Sequence, residues 1–235
     1  GRAVETAVYL ARRGLVEGIV TGPISKEAIE LAGYEYEGHT EMLADLFDAP
    51  DCQMMMVDGA FRVVILTRHL PLARVAETLS IELIETGVEV VNGALEGCFG
   101  LRRPRIAVAA LNPHAGEGGQ FGSEEREIIE PAVAGLRQRG VSVEGPIPAD
   151  SLFHSSRARL YDAIVALYHD QGMIPFKMAA FDRGVNVTVG LPVIRTSVCH
   201  GTAFDIAGTG TAGTGSLEAA IELAALCARR KAALE

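Results

Sequence analysis

The chain has 235 residues, about half of them apolar, which is room for one large α/β domain or two small ones sharing a cleft. Its net charge of −9 weighs against a general nucleic-acid binder, which shows a basic face, yet leaves an anionic small substrate possible through a few local cations. No apolar run approaches the roughly 20 residues that span a bilayer, and the opening Gly1-Arg2-Ala3 lacks the basic-then-apolar layout of a secretory signal.

In chain order, the spacing of Val4, Ala7, Val8 and Ala11 predicts an amphipathic helix ending near Gly14. Gly18-Ile19-Val20 reads as a strand, and Ser25 as the N-cap of a short helix stopped by Gly33. Gly38-His39-Thr40-Glu41 opens another helix, with Thr40 as its expected cap. The apolar stretches Cys52 to Val57 and Phe61 to Thr67, separated by Asp58-Gly59, predict a hairpin whose second strand delivers Arg68-His69. Ser80 caps a longer helix through Leu95, and a strand from Ile106 to Leu111 ends in Asn112-Pro113-His114. A helix from Ser123 to Arg139 should kink or break at Pro131. The strand Ala163 to Leu167 ends at Tyr168-His169-Asp170; Val185 to Val189 is a further strand and Ser216 to Arg230 a final helix. The alternation indicates an α/β fold. Cys52, Cys98, Cys199 and Cys227 show no CxxC spacing, which fits a reducing cytoplasm better than a zinc ribbon or disulfide framework.

His69, His114 and His169 each follow directly on an apolar strand. In open α/β sheets ligands bind beyond the carboxyl ends of strands, so three such imidazoles can converge on one site. Neutral imidazoles suit Zn, Co, Ni or Fe, and three of them leave positions open for a substrate. Asp170 is placed to orient His169 or to move a proton. The competing reading is that each histidine is a loop residue satisfied by nearby backbone. The glycine-rich run 116–122 permits close backbone approach to a ligand or serves as a surface loop. Gly208-Thr209-Gly210-Thr211-Ala212-Gly213 matches G-x-G-x-x-G only formally, because the residues after Gly213 read as one helix rather than helix, strand and acidic residue. Lys177, Asn186 and Arg195 interrupt an apolar stretch and suit a phosphate or carboxylate, although lone cations are more often solvated.

Taken together the motifs resemble the 4-hydroxythreonine-4-phosphate dehydrogenase family. The resemblance is carried by Thr21-Gly22-Pro23-Ile24-Ser25-Lys26, Gly38-His39-Thr40-Glu41, Thr67-Arg68-His69-Leu70-Pro71-Leu72 and Leu111-Asn112-Pro113-His114-Ala115-Gly116. It continues through Gly145-Pro146-Ile147-Pro148-Ala149-Asp150, Tyr168-His169-Asp170-Gln171-Gly172, Gly184-Val185-Asn186-Val187-Thr188-Val189 and Arg195-Thr196-Ser197, with order and spacing kept. It implies a fold like that of isocitrate and isopropylmalate dehydrogenases, with two subdomains around a cleft, not a classical Rossmann fold. It implies His69, His114 and His169 as ligands of a divalent metal (Zn, Mg, Co, Ni or Mn), His169 being offered by the partner subunit of a homodimer. By the same resemblance His39, Thr40, Lys177, Asn186 and Arg195 contact substrate, and Asp150 and Asp170 transfer protons. His200, Gly201, Thr202, Ala203 and Asp205 would line the NAD or NADP site, since 200–208 also resembles the nucleotide loop of those dehydrogenases.

The implied reaction is oxidation of 4-phosphohydroxy-L-threonine, with decarboxylation of the resulting 3-keto acid. Relatives use the same chemistry on D-threonate or D-erythronate 4-phosphate, or on a terephthalate cis-dihydrodiol. A non-catalytic, shortened paralogue is the reading from another class. It draws on Cys199, which stands where the family usually has Asp, and on the family pattern's extending on the order of 90–100 residues further upstream, a domain-sized stretch.

Overall fold

The computed structural model describes residues 1–233 apart from Glu37 and Phe181. Among these, eight strands form one mixed sheet: β1 (Gly18–Thr21), β2 (Gln53–Asp58), β3 (Phe61–Ile65), β4 (Ile106–Ala109), β5 (Val143–Ile147), β6 (Ala163–Ala166), β7 (Val185–Val189) and β8 (Ile194–Val198). Their spatial order is β1-β8-β7-β2-β3-β6-β4-β5. The helices α1 (Arg2–Arg12), α2 (Lys26–Leu31), α3 (His39–Phe47), α4 (Leu72–Thr78), α5 (Ile81–Gly97), α6 (Glu130–Gln138), α7 (Ala149–Leu152), α8 (Ser155–Ala158), α9 (His169–Ala180) and α10 (Gly215–Ala232) complete it. No described helix is long and apolar enough to cross a membrane.

The two-residue period of the hairpin builds a core on each face. Val64 of β3 with Met55 and Val57 of β2 joins α5 and α6, while Val63 and Ile65 with Met54 and Met56 join Phe176 of α9. Parallel strands β4 and β6 are buried along their whole length, as strands covered on both faces are. Each such Val or Ile contributes roughly 1.5–3 kcal/mol of burial. On α5 the spacing of Ile84, Val88, Val91 and Leu95 supplies the apolar stripe facing this core.

Local capping follows the sequence closely. Ser25 and Ser80 accept from the amides of Ala28 and Leu83, satisfying donors that a helix start leaves open. Thr40 differs: it lies inside α3, and Gly38 is the cap, without a side-chain bond. The expected 123–139 helix runs on through Pro131 without a break: a π-turn over Glu125–Ile129 continues into α6 with right-handed helical backbone at Glu124, Ile129 and Glu130.

Direction within the sheet positions the site. Strands β3, β6, β4 and β5 run parallel, whereas β2 is antiparallel to both β3 and β7, and β8 is antiparallel to β7. The loops carrying His69, His114 and His169 therefore leave one end of the sheet. The loop after β8, beginning at Cys199, leaves the other.

Candidate active site

Helix α9 starts where β6 stops, so His169 and Asp170 occupy its first turn. Gly172 lets this helix sit against the sheet, because a Cβ there would collide with Ile65 and press on Val63 and Ala166. His169 is thereby brought beside His69, their ring centroids 5.9 Å apart. Both rings line a pocket of about 310 Å³ with Arg68, Tyr168 and Asp170. Asp170 Oδ1 lies 2.7 Å from Nδ1 of His169, a contact that fixes the ring and leaves Nε2 for a ligand.

His114 does not line that pocket. It sits exposed on a turn in which five consecutive residues, His114 to Gly118, have positive φ, three of them not glycine. Left-handed backbone costs roughly 1–2 kcal/mol per non-glycine residue, so neighbours must hold it. Glu125, only 3% exposed, accepts from the amides of Leu111 and Asn112 at 2.9 and 2.7 Å and from the Asn112 side chain at 3.0 Å. Among the described residues no group of three His, Cys, Asp or Glu side chains is close enough to hold a metal ion. The donor chemistry fits a divalent metal at His69 and His169, and the third imidazole does not join them within one chain. Asp150 stands exposed on α7, just past β5.

A second site is built from regular strands. Arg195 is 2% exposed on β8 and donates to the hydroxyls of Thr188 and Thr21, each at 2.9 Å. Its Nε has no partner, and among the described residues no carboxylate pairs with it. Burial pushes its pKa down to about 10, with Glu41 and Cys52 opposing the shift. His39, first residue of α3, is held down to about 4 by burial and then by the Arg195 charge. At neutral pH a neutral imidazole, a helix N-terminus and a buried guanidinium thus meet, which is an arrangement for an anion. Thr40, next to His39, is buried. Asn186 is half-buried and its Oδ1 has no partner. Thr21 and Thr188 escaped the sequence reading; their signal, a hydroxyl at a buried strand position, is too common to stand out.

Lys177 lies two turns along α9, exposed, near enough to Cys199 for its charge to oppose the burial that pushes that thiol up to about 12. Cys199 is therefore an uncharged group at the end of β8. Beyond it His200, Gly201, Ala203 and Asp205 are exposed and Thr202 is half-buried. The His200 ring bonds the Gly201 carbonyl, and Ala203 is left-handed. The G-x-G-x-x-G run lies between the short 3₁₀ turn Phe204–Ile206 and α10, not after a strand, so the Rossmann reading is excluded.

Known proteins match this chain along nearly its whole length. The family model described as pyridoxal phosphate biosynthetic protein PdxA matches residues 1–224. A 4-hydroxythreonine-4-phosphate dehydrogenase of Desulforapulum autotrophicum is 51% identical over 95% of the chain and 66% of its own length. The crystal structure of a protein of that name from Klebsiella pneumoniae is 48% identical, with TM-score 0.88 over 97% of this chain and 68% of that one. A terephthalate 1,2-cis-dihydrodiol dehydrogenase from Burkholderia xenovorans is 35% identical, with TM-score 0.74 over 95% of this chain and 71% of that one. An isocitrate dehydrogenase from Methylococcus capsulatus, 14% identical with TM-score 0.55, shows the same mixed α/β fold. The chain spans about two thirds of the length of these PdxA-type relatives. With residues 1–224 matched by the family model, this chain belongs to the PdxA family of pyridoxal phosphate biosynthetic proteins.

Proposed function

We propose that the chain is a metal-dependent, NAD- or NADP-linked dehydrogenase acting on 4-phosphohydroxy-L-threonine, with loss of carbon dioxide from the oxidised product. The observation that carries this reading is Arg195, a buried guanidinium with spare donors, no carboxylate partner among the described residues and a neutral His39 beside it. Glu41 offsets part of the buried charge without pairing with it, and a phosphate or carboxylate at hydrogen-bonding range would take up the spare donors. The names of the relatives, dehydrogenases of a phosphorylated hydroxy amino acid, agree with it.

In this reading Arg195, with Asn186 and Lys177, holds the anionic end of the substrate, and His39 and Thr40 contact its polar groups. His69, His114 and His169 would hold the metal, which would supply Lewis acidity toward a substrate hydroxyl, and the dinucleotide would supply the hydride acceptor. Asp170 keeps the His169 ring in one orientation. Asp150 and Asp170 are the groups that accept and return protons. The exposed loop 200–205 contacts the nucleotide.

A homodimer belongs to the proposal, as does a two-subdomain arrangement around a cleft. What supports the dimer is that the expected ligands do not assemble within one chain: His69 and His169 lie side by side, His114 leaves the same end of the sheet without joining them, and the loop after Cys199 leaves the other end. Combining the ends of two subunits would gather three histidines, anion site and nucleotide loop in one place. A cytoplasmic location accompanies this reading.

The test is NADH formation by the purified, metal-loaded chain, with 4-phosphohydroxy-L-threonine and D-threonate 4-phosphate offered side by side. Turnover of the amino acid supports the proposal. Preference for D-threonate 4-phosphate moves the chain to the sugar-acid branch, and silence on both, with no metal bound, contradicts catalysis.

A further inference from the structure

We propose that Gln171 is a positioning residue that fixes the strand ends carrying the three histidines relative to one another. The inference rests on the reading of those histidines as metal-facing groups. Strands β3, β6 and β4 are neighbours, and their main-chain ladders stop at the pairs Ile65–Ala166 and Val108–Val165. Past those pairs the chains diverge into loops, and side chains take over the pairing.

Thr67 Oγ1 donates to the Leu167 carbonyl at 2.8 Å. Gln171 accepts from the Leu167 amide at 2.7 Å and donates to the Ala110 carbonyl at 2.7 Å. Both backbone groups of Leu167, two residues before His169, are thus clamped, one from each side. The next residues along β4's exit, Leu111 and Asn112, are held by Glu125. The bonds from Thr67 through Leu167 and Gln171 reach Ala110, and the backbone that follows it is held by Glu125 as far as Asn112, two residues before His114. Each of the three side chains, Thr67, Gln171 and Glu125, is at most 8% exposed.

The chemistry at the centre requires a primary amide. One atom must accept from Leu167 and another, about one amide width away, must donate to Ala110. A carboxylate would face the Ala110 carbonyl with no proton to share, and a methionine would leave a buried amide and carbonyl unpaired, at roughly 1–3 kcal/mol each. A one-ångström error in such a support is enough to spoil a site. Gln171 acts through the backbone that carries the imidazoles, not by touching a ligand.

The experiment compares Gln171→Met and Thr67→Val with the control Thr196→Val, which removes an equally buried hydroxyl bond to Ala220 away from the histidines. Two readouts are taken: the nuclear Overhauser contact between the His69 and His169 rings in metal-free protein, and cobalt affinity by titration. Gln171→Met should lose the ring contact and bind cobalt roughly 10- to 100-fold more weakly, the size seen for groups that orient metal ligands. Thr67→Val, with one bond removed, should show the same changes in smaller degree, and it carries the test if Gln171→Met fails to fold. Thr196→Val should lower Tm comparably and leave both readouts alone. An unchanged ring contact in the Gln171 or Thr67 variant overturns the proposal, as does an equal loss in the control. Wild-type protein that takes up no cobalt sinks the metal reading, and the ring contact then decides the positioning role by itself.

Discussion

The Arg195 site and the histidine pocket share one sheet and are built in opposite ways. Arg195, Thr188 and Thr21 sit on regular, hydrogen-bonded strands, and Arg195 is almost wholly buried. His69 and His114 hang from loops with left-handed backbone at Arg68 and His114, and they face a pocket or solvent. In the proposed function, a ligand's fixed charge is met by the rigid region, and the groups that would exchange ligands or protons are carried on strained exits, held by a few buried side chains. That reading separates recognition and chemistry in stiffness as well as in place.

The largest effect that could break this division comes from the histidines. His169→Ala should abolish metal uptake and lower turnover on the order of 10³-fold or more, since a Lewis acid supplies several kcal/mol. Metal content by emission spectroscopy beside an NADH assay reads both, and full activity without metal would dissolve the distinction. Arg195→Met comes next and should separate function from stability. Substrate binding should weaken by roughly 2–5 kcal/mol, the cost of truncating a buried charge contact. The ligand-free protein should keep or raise its Tm, because an unpaired buried charge has been removed. A large drop in Tm would show that the guanidinium serves the fold instead.

Gly172→Ala sharpens the comparison from the packing side. The added methyl meets Ile65, Val63 and Ala166, so about 1–3 kcal/mol of stability should be lost, as for other overpacked cores. The two histidine rings should also move apart; a denaturant titration with a ring-contact measurement checks both. For pH, His39 has a folded pKa of about 4 against an ordinary 6.5. Between these values the unfolded chain binds more protons, so stability rises with pH and is lost as pH falls through the window. Tm measured from pH 4 to 7 should therefore climb more steeply in wild type than in His39→Gln, and parallel curves would contradict a desolvated His39. The smallest effect is expected from Cys199→Asp, which places a carboxylate near Lys177. The KM for dinucleotide should shift by about 1 kcal/mol or less, within tenfold, with kcat retained.

The hairpin, the serine caps and the histidines at strand ends were legible because each depends on a local pattern. Ser25 and Ser80 cap as their neighbours require, and alternation in 53–65 places Met54 and Met55 on opposite faces. Helix α9 was hidden, since Gly172 and Pro175 inside it read as breakers. Strand β5 was hidden by Gly145-Pro146. At the site, Arg195 could be suspected from its apolar surroundings, but that no carboxylate among the described residues forms an ion pair with it is a fact of three dimensions. Thr67 and Gln171 stand inside motifs of the resemblance and Glu125 in none, but no role could be read for any of them, because their bonds reach partners up to 100 positions away.

Calorimetric binding of 4-phosphohydroxy-L-threonine and of unphosphorylated 4-hydroxy-L-threonine, to wild-type protein and to Arg195→Met, tests the anion site most directly. Wild type should bind the phosphorylated compound far more tightly, and Arg195→Met should erase most of the difference while remaining folded. Equal binding of the two compounds by wild type, or an undiminished preference in Arg195→Met, would contradict a phosphate held by Arg195.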